Sequence, residues 1–375
     1  MEVRLCKAGA EQDLVNEFCR KVFASTQDAK SDQRSDQSSK NPYETDKPTT
    51  TIAIENGTVV GHLASTPFAL WMNGEERLAH WGSGRFVLKE YRGLGLAKKL
   101  DEVATKEFPL LAGVFVIEAA LRSHKADNWV FPGKIVEYVH IVKPRRFLSV
   151  MTVDRIERFL PKKMKSVAAL AWRMLRMPMS LGISTIHQLK RIPAKVRKGK
   201  DCRFVDVDKF GPEVDELWEK TKGYFSLTNV RNSKYMNWQF PTSKGWRKMV
   251  YTKSNEVKAW ALYTIMTYSD GGPLNGLKAL NVIDAMWSHA DPHTLEELVQ
   301  HALFRGYDEG VDIIMFSGNN RDLAKTLKAS AFIRIPQTVY VAFRSENKAD
   351  DFDQLYQNSY ITRGFADAAG GLGPQ

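Results

Sequence analysis

Val87-Leu88-Lys89-Glu90-Tyr91-Arg92-Gly93-Leu94-Gly95-Leu96-Ala97-Lys98-Lys99-Leu100 joins two patterns of opposite periodicity. Upstream, Arg77 to Val87 reads as an apolar strand. Downstream, Leu96, Leu100, Val103 and Ala104 recur on one face of a helix. The turn between them carries Gly93 and Gly95, which have no Cβ and let a ligand approach the backbone. The first helical turn presents unpaired N–H groups and the positive end of the helix dipole. Arg92, Lys98 and Lys99 add side-chain cations. Strand, glycine turn and helix start together form a pocket for an anion, and a diphosphate-bearing ligand is its natural guest.

Working outward, Val3 to Lys7 reads as a short strand and Glu11 to Phe23 as an amphipathic helix with Leu14, Val15, Phe18 and Val22 inside. Residues 25–49 are polar and read as a mobile loop. Strands follow at Thr51 to Ile54, Thr58 to Met72 and Arg77 to Val87, with Asn56-Gly57 and Asn73-Gly74 as hairpin turns. After the helix at 95–107 come a buried strand, Leu110 to Glu118, a short irregular piece, Leu121 to Trp129, and a strand from Lys134 to Val142.

The turn resembles the pyrophosphate-binding motif of the GNAT acyltransferases, Arg/Gln-x-x-Gly-x-Gly/Ala, with Arg92 first, Gly95 fourth and Ala97 sixth. Lys89 stands where that family often has proline. The element order over the first 150 residues is also that of the GNAT fold. The resemblance implies an α/β chain with a mixed α+β sheet that binds acetyl-CoA or another acyl-CoA. It implies that the backbone at Phe86 and Val87 holds the pantetheine arm, and Gly93, Leu94, Gly95, Leu96 and Ala97 the pyrophosphate.

From Cys202 the order recurs. Arg203 to Val207 is a strand, Glu213 to Lys222 a helix, and 231–240 a short aromatic helix. Strands at Lys248 to Thr252, Val257 to Thr267 and Leu277 to Ser288 precede a helix at Thr294 to Tyr307. Val311 to Ser317, Asn320 to Ser330 and Gln337 to Phe343 complete a strand, a helix and a closing strand. The reading is two tandem GNAT-like domains, 1–150 and 201–345, with a tail at 346–375 that docks as a strap. The second copy has Ser288-His289-Ala290-Asp291-Pro292-His293-Thr294 in place of the glycine turn. A carboxylate stands there where a pyrophosphate would sit, and Asp291 or Thr294 reads as a helix cap. Gly318-Asn319-Asn320 reads as a cap rather than a second phosphate site.

The chain of 375 residues exceeds one ordinary core, and 43% hydrophobic content is that of a globular protein. Its net charge of +11 is concentrated in 161–200, where eleven lysines and arginines occur without an acidic residue. That Met-rich segment, with Trp172 on one face and Pro178 and Pro193 breaking the pattern, reads as a helical connector over 151–200. A linker packing its apolar face on a domain is favoured. A membrane-surface helix comes second, and a nucleic-acid contact last. Cys6, Cys19 and Cys202 are scattered, which suggests a reducing compartment. The eight histidines have no metal-binding spacing, so no metal is expected. No signal or spanning segment is read, and the expected location is cytoplasmic, with 161–200 open to the inner membrane surface.

In the family the resemblance points to, an amine attacks the acyl thioester directly, which needs a base for the ammonium proton and a donor for the thiolate. His80, on the fourth strand, has a reference pKa of ~6.5. Glu118, at the end of the fifth strand, is the other candidate base, with Glu76 behind both. The tyrosine expected after the fifth strand is missing, and Tyr138 is the nearest substitute as acid. For each, an ordinary packed or solvated residue is the competing reading. Trp71 and Trp81 would line an acceptor site or simply pack. The leading function is an acyl-CoA-dependent N-acyltransferase acting on a small amine or amino sugar, such as a polysaccharide precursor. The alternatives are a FemAB-like transferase using charged tRNA and a non-catalytic CoA-binding scaffold.

Overall fold

The computed structural model describes residues 1–7, 9–23, 40–115, 121–122, 124–125, 128–150, 202–269, 274–335 and 339–365. In chain order the elements are β1 (Glu2–Leu5), α1 (Ala10–Phe23), β2 (Thr50–Glu55), β3 (Thr58–Met72), β4 (Glu75–Val87), α2 (Leu96–Glu107), β5 (Leu110–Phe115), β6 (Val130–Lys134) and β7 (Glu137–Ile141). They continue as α3 (Pro144–Val150), β8 (Cys202–Val207), α4 (Pro212–Thr221), β9 (Leu227–Asn229), α5 (Ser233–Gln239), β10 (Arg247–Lys253), β11 (Glu256–Thr267) and β12 (Lys278–Trp287). The last are α6 (Thr294–Asp308), β13 (Ile313–Ser317), α7 (Arg321–Ala329), β14 (Ile333–Ile335), β15 (Tyr340–Ser345) and α8 (Phe352–Tyr356). The fold is α/β with two mixed sheets. Residues 151–200, Glu118 and most of the loop at 25–49 lie outside the described residues.

The hairpin turns have the conformation their residues favour. Asn56-Gly57 and Asn73-Gly74 both take positive φ at both positions, which matches the twist of the flanking strands. Ser254-Asn255 joins β10 to β11 in the same way without a glycine.

In the first sheet the strand order is β1-β2-β3-β4-β5-β15-β6, and β9 also pairs with β3. Adjacent residues of β2 point to opposite faces. Ile52 meets Val15 and Phe18 of α1, together with Cys6 and Val59. Ala53 meets Leu96, Leu100 and Ala104 of α2, together with Val60 and Leu111. Full burial of a leucine such as Leu100 contributes about 2 kcal/mol. Gly61 lets α2 come close: a Cβ there would stand 3.3 Å from Leu100 Cδ1. The tail docks as expected through Phe365. Phe352 stacks on Phe343 at 4.7 Å, and Phe365 meets Trp81 edge-on at 4.8 Å.

The second sheet has the order β14-β7-β13-β12-β11-β10-β8. α4 buries Val214, Leu217 and Trp218, and α6 buries Leu295, Leu298, Val299 and Ala302.

Two expectations are corrected. The stretch from Lys134 to Val142 is two strands: β6 pairs with β15 in the first sheet, and β7 lies between β13 and β14 in the second. The closing strand expected at Gln337 to Phe343 is β15, which sits between β5 and β6 in the first sheet. The compact units therefore do not follow the boundaries at 150 and 201. One comprises the described residues of Met1–Ile135, Lys222–Pro241 and Thr338–Gly373, and the other those of Val136–Thr221 and Thr242–Gln337. The cause is non-local pairing: alternation along a strand identifies its faces, not its neighbours.

A fragment ending at residue 150 lacks β15, leaving β5 and β6 without the strand that joins them. Such a fragment is expected to show no cooperative thermal transition, whereas the full chain shows one. Circular dichroism on both checks this.

Candidate functional site

Among the described residues, β4 and β5 are parallel partners at two positions, His80 with Leu111 and Trp81 with Ala112. Beyond them β4 keeps its pairing with β3 as far as Val87 with Gly61. On its other edge β5 pairs with β15 along its whole length, Leu110 to Phe115. Among the described residues the two strands share no pair beyond Trp81 and Ala112. A register shift opposite His62 and Ala64 bulges β4 at the same place, which re-aims the backbone there.

The polypeptide leaves β4 through a single helical turn, Lys89–Tyr91, and reaches the glycines. Gly93 and Gly95 have φ of +85° and +73°, a region that favours glycine. A Cβ at either would meet nothing within 4 Å, so the space over the turn is open. Gly95 is the N-cap of α2 and no side chain caps the helix. Among the described residues, no hydrogen bond engages the amides of Gly93, Leu94, Gly95, Leu96 and Ala97. Leu96 is buried and anchors the helix start, while Arg92 to Gly95 are exposed. The Arg92 Nε donates to the Val87 carbonyl at 3.1 Å, and its guanidinium lies over the Phe86 ring at 5.2 Å. The side chain is held beside the turn while most of its donors stay available. Open amides beside a fixed cation are the kind of arrangement that holds an anion.

Residues 2–108 match the family model described as an acetyltransferase (GNAT) domain. Over those residues the chain is similar to GNAT acetyltransferase domains. Similar solved structures include a GCN5-related N-acetyltransferase from Anabaena variabilis, at 12% identity and a TM-score of 0.58 over 92% of this chain and 73% of that one. The N-myristoyltransferase of Saccharomyces cerevisiae with bound myristoyl-CoA is similar at 12% identity and 0.51, over 92% and 82%. A probable N-acyltransferase from Enterococcus faecalis is similar at 11% and 0.54, over 92% and 72%. At these identities the likeness is one of fold. No curated protein sequence matches the chain.

Within the matched residues, Phe86 is half-buried and Val87 is buried, both on the stretch of β4 beyond its pairs with described β5. His80 lies at one of the two described pairs between β4 and β5. It is buried, its ring is 4.2 Å from that of Phe108, and its Nδ1 has no hydrogen-bond partner. Burial, with Lys47 nearby, lowers its pKa to about 4, so it is neutral at pH 7. Glu118 lies outside the described residues. Tyr138 is buried in β7, between Phe316 and Arg334 of the second unit's sheet, and burial raises its pKa. The expectation that Tyr138 belongs to the same domain as the turn is corrected. The strand that carries it changes sheets after Ile135.

Two arrangements were not read from the sequence. Arg85, on the bulged part of β4, makes an ion pair with Asp101 of α2, and both are well shielded from solvent. His124 Nδ1 is 3.9 Å from the same carboxylate, and burial followed by Arg85 and Arg344 lowers its pKa to about 3. This pair ties the helix that begins at the anion turn to the strand that precedes it. The second arrangement is His62 of β3, whose Nδ1 lies 3.1 Å from the Gly84 carbonyl oxygen. The only signal in the sequence was a polar residue at an interior position of an apolar run.

The second unit has a related opening without the turn. β12 and β13 pair in parallel from Ala279 with Ile313 to Val282 with Phe316, and β12 continues to Trp287. At the start of α6, one Asp291 carboxylate oxygen accepts from Lys253 Nζ at 2.7 Å and the other from the His293 amide at 3.1 Å. His293 is the N-cap, and no side chain caps α6, which corrects the assignment of that role to Asp291 or Thr294. Asn320 caps α7 as expected, accepting from the amides of Asp322 and Leu323.

His80 gives a pH dependence of stability. Its pKa is lower in the fold than in the unfolded chain, so the unfolded chain takes up the proton first as pH falls. Stability is unaffected above about pH 6.5 and declines from there to about pH 4, by on the order of 3 kcal/mol. His80→Leu is expected to flatten this part of the denaturant-midpoint profile relative to wild type. Parallel profiles for the two proteins over that interval would refute the assignment.

Proposed function

We propose that the chain is an acyl-CoA-dependent N-acyltransferase, with acetyl-CoA as its donor, that transfers the acyl group directly to an amine. The acceptor in this reading is a small amine or an amino sugar of a polysaccharide precursor. The observation that carries the reading is the open, uncapped Gly93–Ala97 turn that follows β4, beyond its pairs with described β5. The N-myristoyltransferase with bound myristoyl-CoA and the N-acetyltransferase among the similar structures support a thioester donor.

The amides of Gly93 to Ala97 would take the pyrophosphate, with Arg92, Lys98 and Lys99 supplying positive charge. The backbone of Phe86 and Val87 lies beyond the residues of β4 that pair with described β5 and would take the amide groups of the pantetheine arm. The bound donor would supply an activated acyl carbon in the gap between β4 and β5. His80, where the two strands pair, is in the neutral form that a proton acceptor requires, although its lowered pKa makes it a weak base. The Arg85–Asp101 pair fixes α2 against β4 and so keeps the turn aligned with the gap.

Calorimetric titration of acetyl-CoA tests the reading. Wild type is expected to bind with micromolar-range affinity. Gly95→Glu places a carboxylate in the cradle at a positive φ and is expected to weaken binding by more than about tenfold, or 1.4 kcal/mol. A folded wild type that binds no CoA would sink the reading in favour of the tRNA-dependent or scaffold alternatives.

A further inference from the structure

On the face of β3 that packs against α1, the Cys19 Sγ lies 3.9 Å from the His62 Nε2. The other ring nitrogen of His62 faces the Gly84 carbonyl at 3.1 Å. A carbonyl oxygen only accepts, so Nδ1 carries the ring proton, and the lone pair of the neutral imidazole is on Nε2, toward the sulfur. Thiol, imidazole and orienting acceptor stand in the order that activates a nucleophile.

Rigid elements place these groups. Cys19 is on α1, and its neighbour Phe18 lies 6.2 Å from the His62 ring and 6.3 Å, edge-on, from the Phe86 ring. Gly84 and Phe86 belong to the stretch of β4 beyond its pairs with described β5, and Arg92 lies over Phe86. The thiol–imidazole pair is thus hydrogen-bonded to the wall of the opening assigned to the acyl donor. Cys19 is partly exposed and in no disulfide. Cys6 is a natural control: it is buried, its thiol donates to the Lys7 carbonyl, and burial raises its pKa.

We propose that Cys19 is a second acyl acceptor of the GNAT domain, its thiol taking the acyl group of acyl-CoA as a thioester with His62 as base. The inference rests on the acyl-CoA reading above. His62 Nε2 takes the Cys19 proton as the sulfur attacks the thioester carbonyl. The carbon–sulfur bond to CoA breaks, the bond to Cys19 forms, and the proton on His62 passes to the departing sulfur. One thioester replaces another and nothing is oxidised or reduced. The adduct is expected to accumulate when no amine is present and to be discharged by amines or by excess free CoA.

The full-length protein incubated with acetyl-CoA without amine, quenched in acid and analysed by intact mass and peptide mapping, tests this. A single hydroxylamine-labile acetyl group on the peptide containing Cys19 is expected. It should be absent in Cys19→Ser, formed about tenfold more slowly in His62→Asn, and retained in Cys6→Ser. Without CoA, iodoacetamide should alkylate Cys19 faster than Cys6, and His62→Asn should reduce that difference. Calorimetric CoA binding separates the outcomes. Binding without a label on wild-type Cys19, or with the label on Cys6, overturns the thiol assignment and leaves the acyl-CoA reading standing. Absence of CoA binding overturns both. Because the mapping is done on wild type, a variant that misfolds does not decide the question.

Discussion

Among the described residues, two parallel residue pairs, His80 with Leu111 and Trp81 with Ala112, join β4 to β5. Everything distinctive about the first unit follows from that brevity. A parallel ladder this short leaves the described residues of β5 beyond Ala112 unpaired with β4. Backbone groups without a partner are costly to bury unless something else satisfies them. The protein meets this partly with its own side chains. His62 faces the Gly84 carbonyl, and Arg92 donates to that of Val87. Arg85 in the same stretch reaches the buried Asp101 of α2, so the helix is fastened to the strand by charge as well as by Leu96 and Leu100. A buried ion pair of this kind adds little net stability, but breaking it by removing one partner is expensive. Its contribution is to fix one geometry.

The second unit uses the same pairing of parallel strands for a different end. Its opening after Val282 leads to a helix start whose approach is occupied by Asp291, held by Lys253 and by the His293 amide. The carboxylate takes a place an anion would need and repels one electrostatically. The parallel strand pair recurs while the glycine turn does not. Such a turn therefore depends on which side chains fill it, with the surrounding strands and helix only presenting it.

Local features were legible in the sequence because their causes are local. Gly93 and Gly95 flank an exposed turn that requires positive φ. Asn-Gly pairs impose their own turn type, and Leu96, Leu100 and Ala104 repeat at helical spacing. The open glycine turn was readable for that reason. What was not readable depends on partners far away in the chain. Glu137 to Ile141 is buried at every position, a pattern that fits the centre of any sheet, and nothing in it says which one. Tyr138 was misplaced for this reason. His62 and Cys19 are 43 positions apart, and neither stands out until α1 is laid on β3. His80 was read as a base of ordinary pKa because sequence does not reveal that Phe108 and the sheet exclude water from it.

The exchange of strands between sheets ties the candidate site to the far end of the chain. β5 forms the far wall of the opening and is held on its outer side by β15, from Phe115 with Tyr340 to Leu110 with Ser345. The segment that follows continues the same support. Asp350 pairs with Arg77 of β4, and Phe365 packs on Phe68 and Trp81. Both walls of the gap are thus braced by residues beyond 339, while the anion turn itself lies before residue 100. A contact map with such long separations slows folding, since the loop-closure entropy is lost before the contacts form. The compensation is that neither wall can relax toward the other without moving a strand paired on its opposite edge, so the gap between β4 and β5 is held open by the architecture itself.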